Sequence, residues 1–152
     1  MKTIHTVRFG DFEVEEKSIV HFAQGIPAFE DEYEFVIIPY DEESPYVFLQ
    51  SLQTPDLAFL MTSPYLFFKD YEFEIDDATE KKLGLEKPED VAVYVLLTIP
   101  GGSIKDMTAN LMAPVIINKN TMQAKQVVLE KSPYTTKHRL FPAKEENVTQ
   151  GE

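Results

Sequence analysis

The chain has 152 residues, 26 Asp or Glu against 14 Lys or Arg, a formal net charge of −12 and no cysteine. The missing thiols exclude disulfide staples, thiolate metal sites and cysteine nucleophiles, and the acidity disfavours nucleic acid and anionic membranes, which both carry dense phosphate charge. With 43% hydrophobic residues and no apolar run near 18 residues, the sequence reads as one soluble domain able to bury its own core. Its first residues, MKTIHTVRFGDF, show no apolar signal core, so a cytoplasmic location is expected.

Most of the chain reads as short strands. IHTVRF, a turn at Gly10-Asp11 and FEVEE predict a hairpin over residues 3–16, with Phe12 and Val14 on one face and Glu13 and Glu15 on the other. IVHF follows, then the loop GIPAFED, then the strand YEFVIIPY. DEESP marks a reversal into YVFLQSL, and TPD turns into LAFLMT. In SPYLFFKDYEFEI the second half alternates, Tyr71, Phe73 and Ile75 inward and Glu72 and Glu74 outward, which predicts a half-exposed strand.

One helix has terminal signals. Asp77 is placed as the N-cap with Glu80 as its capping-box partner, Lys81 and Lys82 suit the C-terminal end of the dipole, and Gly84 suits the left-handed C-cap. VAVYVLLTI is apolar on both faces, the mark of a central strand. MTANLMAPVIIN and AKQVVL supply the last strands, with Asn118-Lys119-Asn120-Thr121 as the turn between two of them. Tyr134, Leu140 and Phe141 are expected to pack down, whereas residues 142–152, PAKEENVTQGE, read as a disordered tail. The fold class is therefore mainly β: a small antiparallel β-barrel-like domain with one short helix, in a single domain over residues 1–141.

Chemistry is hard to find. G-x-S-x-G, H-E-x-x-H, G-x-G-x-x-G and P-loop patterns are all absent, and Gly101-Gly102 precedes a strand, so it presents no helix end to a phosphate. The three histidines, His5, His21 and His138, lie far apart, and the acidic runs lack EF-hand spacing, so no metal is assigned. No cofactor and no catalytic residue are assigned; a pair of carboxylates working as a hydrolase stays open as a minor alternative, as does a small-ligand-binding barrel.

Two loops stand out instead. In the first, Ile26, Pro27 and Phe29 run into Glu30, Asp31 and Glu32; in the second, Pro64, Tyr65, Phe67 and Phe68 precede Asp70. Apolar anchors ringed by charge suit a protein-binding surface, and the same residues would equally serve as plugs for the ends of a barrel. The charge is uneven: residues 1–99 hold 21 acids and 7 bases, residues 100–152 hold 5 and 7. Such an acidic body would speed the approach of a basic partner.

Several separated motifs then resemble a known family. HFAQGIPAFEDEYEFVIIP matches the pattern F-x-x-G-I-P-G-F-E over Phe22–Glu30, with Ala28 where the family usually has Gly. Leu49–Phe59 matches L-Q-S-x-x-x-P-x-L-A-F, and Leu111–Asn118 matches L-x-A-P-[IV]-x-[IV]-N, followed by QVVL at 126–129. Together they resemble the flagellar assembly factor FliW family over nearly all of the chain before the tail. The resemblance implies a non-enzymatic cytoplasmic regulator with a β-barrel-like fold. It implies two partners, flagellin and the basic RNA-binding repressor CsrA, exchanged so that flagellin translation follows export. A dedicated flagellin export chaperone without a CsrA role is the alternative. A monomer is expected. Asn110, Pro114 and Asn118 are expected to fix strand ends and turns rather than to bind.

Overall fold

Alternation decides the architecture. Along residues 35–38, Phe35 and Ile37 join one buried cluster while Val36 and Ile38 join another, so this strand is packed on both faces. The computed structural model describes residues 2–26, 29–129 and 132–141. In chain order its elements are β1 (Lys2–Thr6), β2 (Gly10–Val14), β3 (Ile19–Phe22), β4 (Glu34–Pro39), β5 (Tyr46–Ser51), β6 (Ala58–Thr62), α1 (Asp77–Leu83), β7 (Val91–Thr98), β8 (Thr108–Ala109), β9 (Val115–Asn118), β10 (Gln123–Gln126) and β11 (His138–Arg139).

β3 to β7 form an antiparallel meander. β9 pairs with both β7 and β10, and β10 lies beside β3, which closes a barrel of seven strands. The mainly β barrel, with a single α-helix among the described residues, is thus as the sequence predicts. The β10–β3 contact is parallel, the one departure from antiparallel order among the described strands. Closure forces it: six antiparallel contacts around a ring of seven strands leave β3 and β10 running in the same direction, so the seventh contact is parallel.

The barrel interior is Val20, Phe22, Ile26, Phe35, Leu49, Met61, Val115, Ile117 and Ala124. Outside it, three pads cover the reverse faces of the same strands. The β1–β2 hairpin lays Ile4 and Val14 on Ile19 and Val36. α1 and its flanks lay Leu83 on Ile116 and Val127. Tyr71 and Leu140 cover Val95, Met107, Ala109 and Leu111. Strands apolar on both sides, such as β7 and β9, are therefore walls between two cores.

Several local expectations shift. The hairpin loop is Val7–Phe9, and Gly10, with φ +74, is already the first residue of β2. Residues 71–75 keep their predicted alternation, Tyr71 buried and Glu72 and Glu74 exposed, but they join no sheet; Tyr71 instead anchors the segment by donating its hydroxyl to the Leu111 carbonyl at 2.8 Å. Tyr134, Leu140 and Phe141 pack onto that same cluster. The tail at 142–152 lies outside the described residues.

The helix cap is Asp76, not Asp77. Its Oδ1 accepts the Thr79 N–H at 2.8 Å, so Thr79 occupies the position assigned to Glu80, while Gly84 closes the helix at φ 66 as expected. The hydrogen bonds from Thr79 hold the Asp76 carboxyl below its ordinary pKa of 3.8. A lowered carboxylate pKa stabilises the fold above the ordinary value, and that contribution is lost as pH falls through the folded value. Asp76→Ala is expected to lower Tm at pH 7 and to converge with the parent as the pH falls through the lowered Asp76 pKa, measured as paired thermal melts.

Candidate protein-binding surface

The first loop begins at Gly25, where the chain needs φ +70 and where a Cβ would lie 2.5 Å from the Glu30 carbonyl oxygen. Only glycine fits that approach. Ile26 and Phe29 then exchange backbone hydrogen bonds across a tight turn; Pro27 lies outside the described residues. The turn splits the predicted anchors. Ile26 is 1% exposed and belongs to the barrel interior, so as an anchor for a partner it offers no surface. Phe29 is 39% exposed and lies edge-on to Phe59 with ring centroids 5.3 Å apart.

The acidic run after it splits in the same way. Glu30 and Asp31 are exposed. Glu32 is half-buried, and its two carboxylate oxygens accept hydrogen bonds from the Ser51 and Thr54 hydroxyls. The Ser51 hydroxyl in turn accepts the Gln53 and Thr54 N–H groups, and Gln53 clamps the run from the other side, accepting from Tyr33 N–H and donating to the Asp31 carbonyl. Glu32 is thus a brace between the loop and the β5–β6 turn. Further on, Glu34 is 3.2 Å from Lys2 Nζ and 3.9 Å from His21 Nδ1.

The second loop leaves β6 as a single tight helical turn, Pro64–Leu66. Pro64 is buried, so it too is a plug rather than a contact. Phe67 is half-buried, stacked on Tyr46 at 6.1 Å and edge-on to Phe141; Phe68 is half-buried against His138. Tyr65 is 46% exposed. Leu66, which the sequence reading passed over, is 61% exposed. The missed signal is the turn itself: a proline at its first position turns inward here, and the next two residues form its crest. Burial raises the Tyr65 phenol above its ordinary pKa, with Tyr134 adding to the effect, and pushes that of Tyr71 further up. Both stay neutral hydrogen-bonding groups at physiological pH.

The two loops do not merge. Phe29 packs at the start of β6, on Phe59, and the second loop begins where β6 ends, after Thr62. A strand rises ~3.3 Å per residue, so about 10 Å of β6 separates them. The surface thus presents two separate exposed patches on loops, Phe29 with Glu30 and Asp31, and Tyr65 with Leu66. Among the described residues there is no group of three or more His, Asp or Glu side chains able to hold a metal, and no helix is long and apolar enough to cross a membrane.

Comparison with known proteins gives a consistent result. The family model "FliW protein" matches residues 3–140. A flagellar assembly factor FliW from Bacillus subtilis (strain 168) is 47% identical over 137 residues, covering 90% of this chain and 95% of that one. Its counterpart from Geobacillus kaustophilus (strain HTA426) is 47% identical over 141 residues, covering 93% and 96%. A crystal structure of the flagellar assembly factor FliW superposes with a TM-score of 0.87 at 45% identity, covering 94% of this chain and 99% of that one.

Proposed function

The chain belongs to the FliW family, and from that membership we propose that it is a non-enzymatic flagellar assembly factor of the cytoplasm that binds flagellin and the repressor CsrA in turn. The observation that carries this reading is the 47% identity, over 90% of the chain, to a protein named a flagellar assembly factor. In the proposed circuit, flagellin held inside the cell occupies the factor and leaves CsrA free to block flagellin translation. Export of flagellin releases the factor to bind CsrA.

The contact residues we assign are Phe29, Glu30 and Asp31 in one patch and Tyr65, Leu66, Phe67 and Phe68 in the other. The exposed rings supply desolvated contact area, and the surrounding carboxylates supply steering. Ile26, Pro64 and Glu32 act from behind, holding these loops in shape. A net charge of −12 supports attraction to a protein basic enough to hold RNA phosphates, and repulsion of the RNA itself.

Size-exclusion chromatography of the purified chain with CsrA, with flagellin and with both tests the circuit. Two separate binary complexes, with flagellin displacing CsrA, are expected. Co-elution with flagellin alone would leave an export chaperone without a CsrA role, and co-elution with neither would overturn the reading. The steering component has its own measurement. Association with CsrA by stopped flow is expected to slow about tenfold or more between 50 and 500 mM salt, as screening shortens the reach of the charge. A rate indifferent to salt would remove steering and leave only contact.

A further inference from the structure

Among the described residues, half of one edge of β7 has no neighbouring strand. The Asp90 carbonyl accepts Lys119 N–H at 2.8 Å and the Leu96 carbonyl accepts Asn110 N–H at 2.9 Å. These two bonds set the phase: even-numbered residues of β7 point their polar groups toward β8 and β9, and odd-numbered residues point toward β6. β6 accompanies β7 only through Met61↔Leu96 and Thr62↔Val95. In the same register the next partner, opposite Val93, would be Pro64. Proline has no N–H to give, and the Pro64 carbonyl is already used inside its own loop by Phe67 and Phe68 N–H.

Val93 therefore turns both its N–H and its C=O toward a position that none of the described strands fills. The Val91 N–H is taken by the Pro88 carbonyl, but its own C=O faces the same gap. Among the described residues no hydrogen bond reaches the Val93 pair or the Val91 carbonyl. A groove of about 500 Å³ includes Val91 and Val93 in its lining, with Tyr65, Phe73, Ile75 and Leu85; Glu80 and Glu86 also line it, against Lys87. Glu72 and Glu74 stand exposed on the segment alongside. An unpaired strand edge beside apolar side chains is a template for an added strand.

We propose that this edge docks an extended segment of a partner protein, which adds a short strand beside Val91–Val93. Apolar side chains at alternate positions of that segment fill the groove, and basic side chains between or beside them meet the acidic rim. The inference rests on the reading of the chain as a protein-binding factor and adds a surface to it: Tyr65 belongs to the groove as well as to the second loop.

Amide hydrogen exchange of the full ¹⁵N-labelled chain tests it, alone and saturated with each of the two partners proposed above. Val93 N–H is expected to exchange fast in the free protein and about tenfold or more slowly in at least one complex. Val93→Pro removes an N–H that faces away from β9, and is expected to weaken that complex about tenfold or more. Should this variant fail to fold, the exchange measurement decides by itself. A complex that forms with Val93 exchange unchanged overturns the edge and leaves the broader function standing. If neither partner binds, both fall together.

Discussion

Ile26→Ala is expected to destabilise the protein by about 2–5 kcal/mol, the range for emptying a fully buried branched aliphatic site. Phe29→Ala, three residues on, is expected to cost about 1 kcal/mol, since the ring is partly in solvent and its main partner is one edge-on phenyl. Partner binding should divide the other way. Once folded at low temperature, Ile26→Ala should retain affinity, and Phe29→Ala should lose about tenfold or more. Urea denaturation and a binding titration on the two single variants separate these roles. Equal stability losses would mean that Phe29 is also core, and the first patch would then lose its only aromatic.

Asn118→Ala carries the second large expected effect. Asn118 is 2% exposed at the end of β9. Its Nδ2 donates to the Leu83 carbonyl at 2.6 Å and, at 3.3 Å, to the Gly84 carbonyl; its Oδ1 accepts Asn120 and Thr121 N–H. One side chain thus satisfies the C-terminal end of α1 and shapes the β9–β10 turn. Truncation leaves a buried helix carbonyl and turn N–H groups without partners, at about 1–3 kcal/mol for each group that water does not reach. The midpoint of urea unfolding should fall accordingly, and Asn118→Asp should recover the turn bonds but not the helix contact. An Asn118→Ala protein as stable as the parent would show that solvent replaces both sets of bonds.

Period-two alternation made the strands legible. IVHF, YEFVIIPY, YVFLQSL and VAVYVLLTI each hold a strand of the barrel, and Gly84 and the Asn118–Thr121 turn have their expected geometry. What alternation does not encode is which strand lies beside which. The same pattern in residues 71–75 produces burial without pairing: Tyr71 packs into a cluster with Val95, Met107 and Leu111, and the segment joins no ladder. The Asp76 cap was masked by its neighbour: two consecutive aspartates offer two registers, and one residue decides between Thr79 and Glu80 as the capped position.

The candidate site was legible only as a pair of loops. Ile26 and Phe29 are similar in the sequence, both large and apolar beside acids. The turn between them sends one into the barrel and the other across Phe59. Glu32 resembled its acidic neighbours until the Ser51 and Thr54 hydroxyls came within reach from the far side of β4 and β5. Composition counts such groups alike; only long-range pairing distinguishes a rim charge from a brace.

The parallel seam between β3 and β10 bears on how the chain comes to be folded. His21 and Gln123 meet across it, about a hundred residues apart in the chain, whereas β3 to β7 are joined by antiparallel reversals. During synthesis the N-terminal meander can assemble early, but it remains an open sheet with an unprotected margin at β3 until residues 115–126 have left the ribosome. Such a late, long-range step slows folding and lengthens the interval in which nascent chains can pair with one another. A C-terminally truncated chain lacking those two strands would have no way to seal that margin, and would be caught in the state that the full-length polypeptide passes through only briefly.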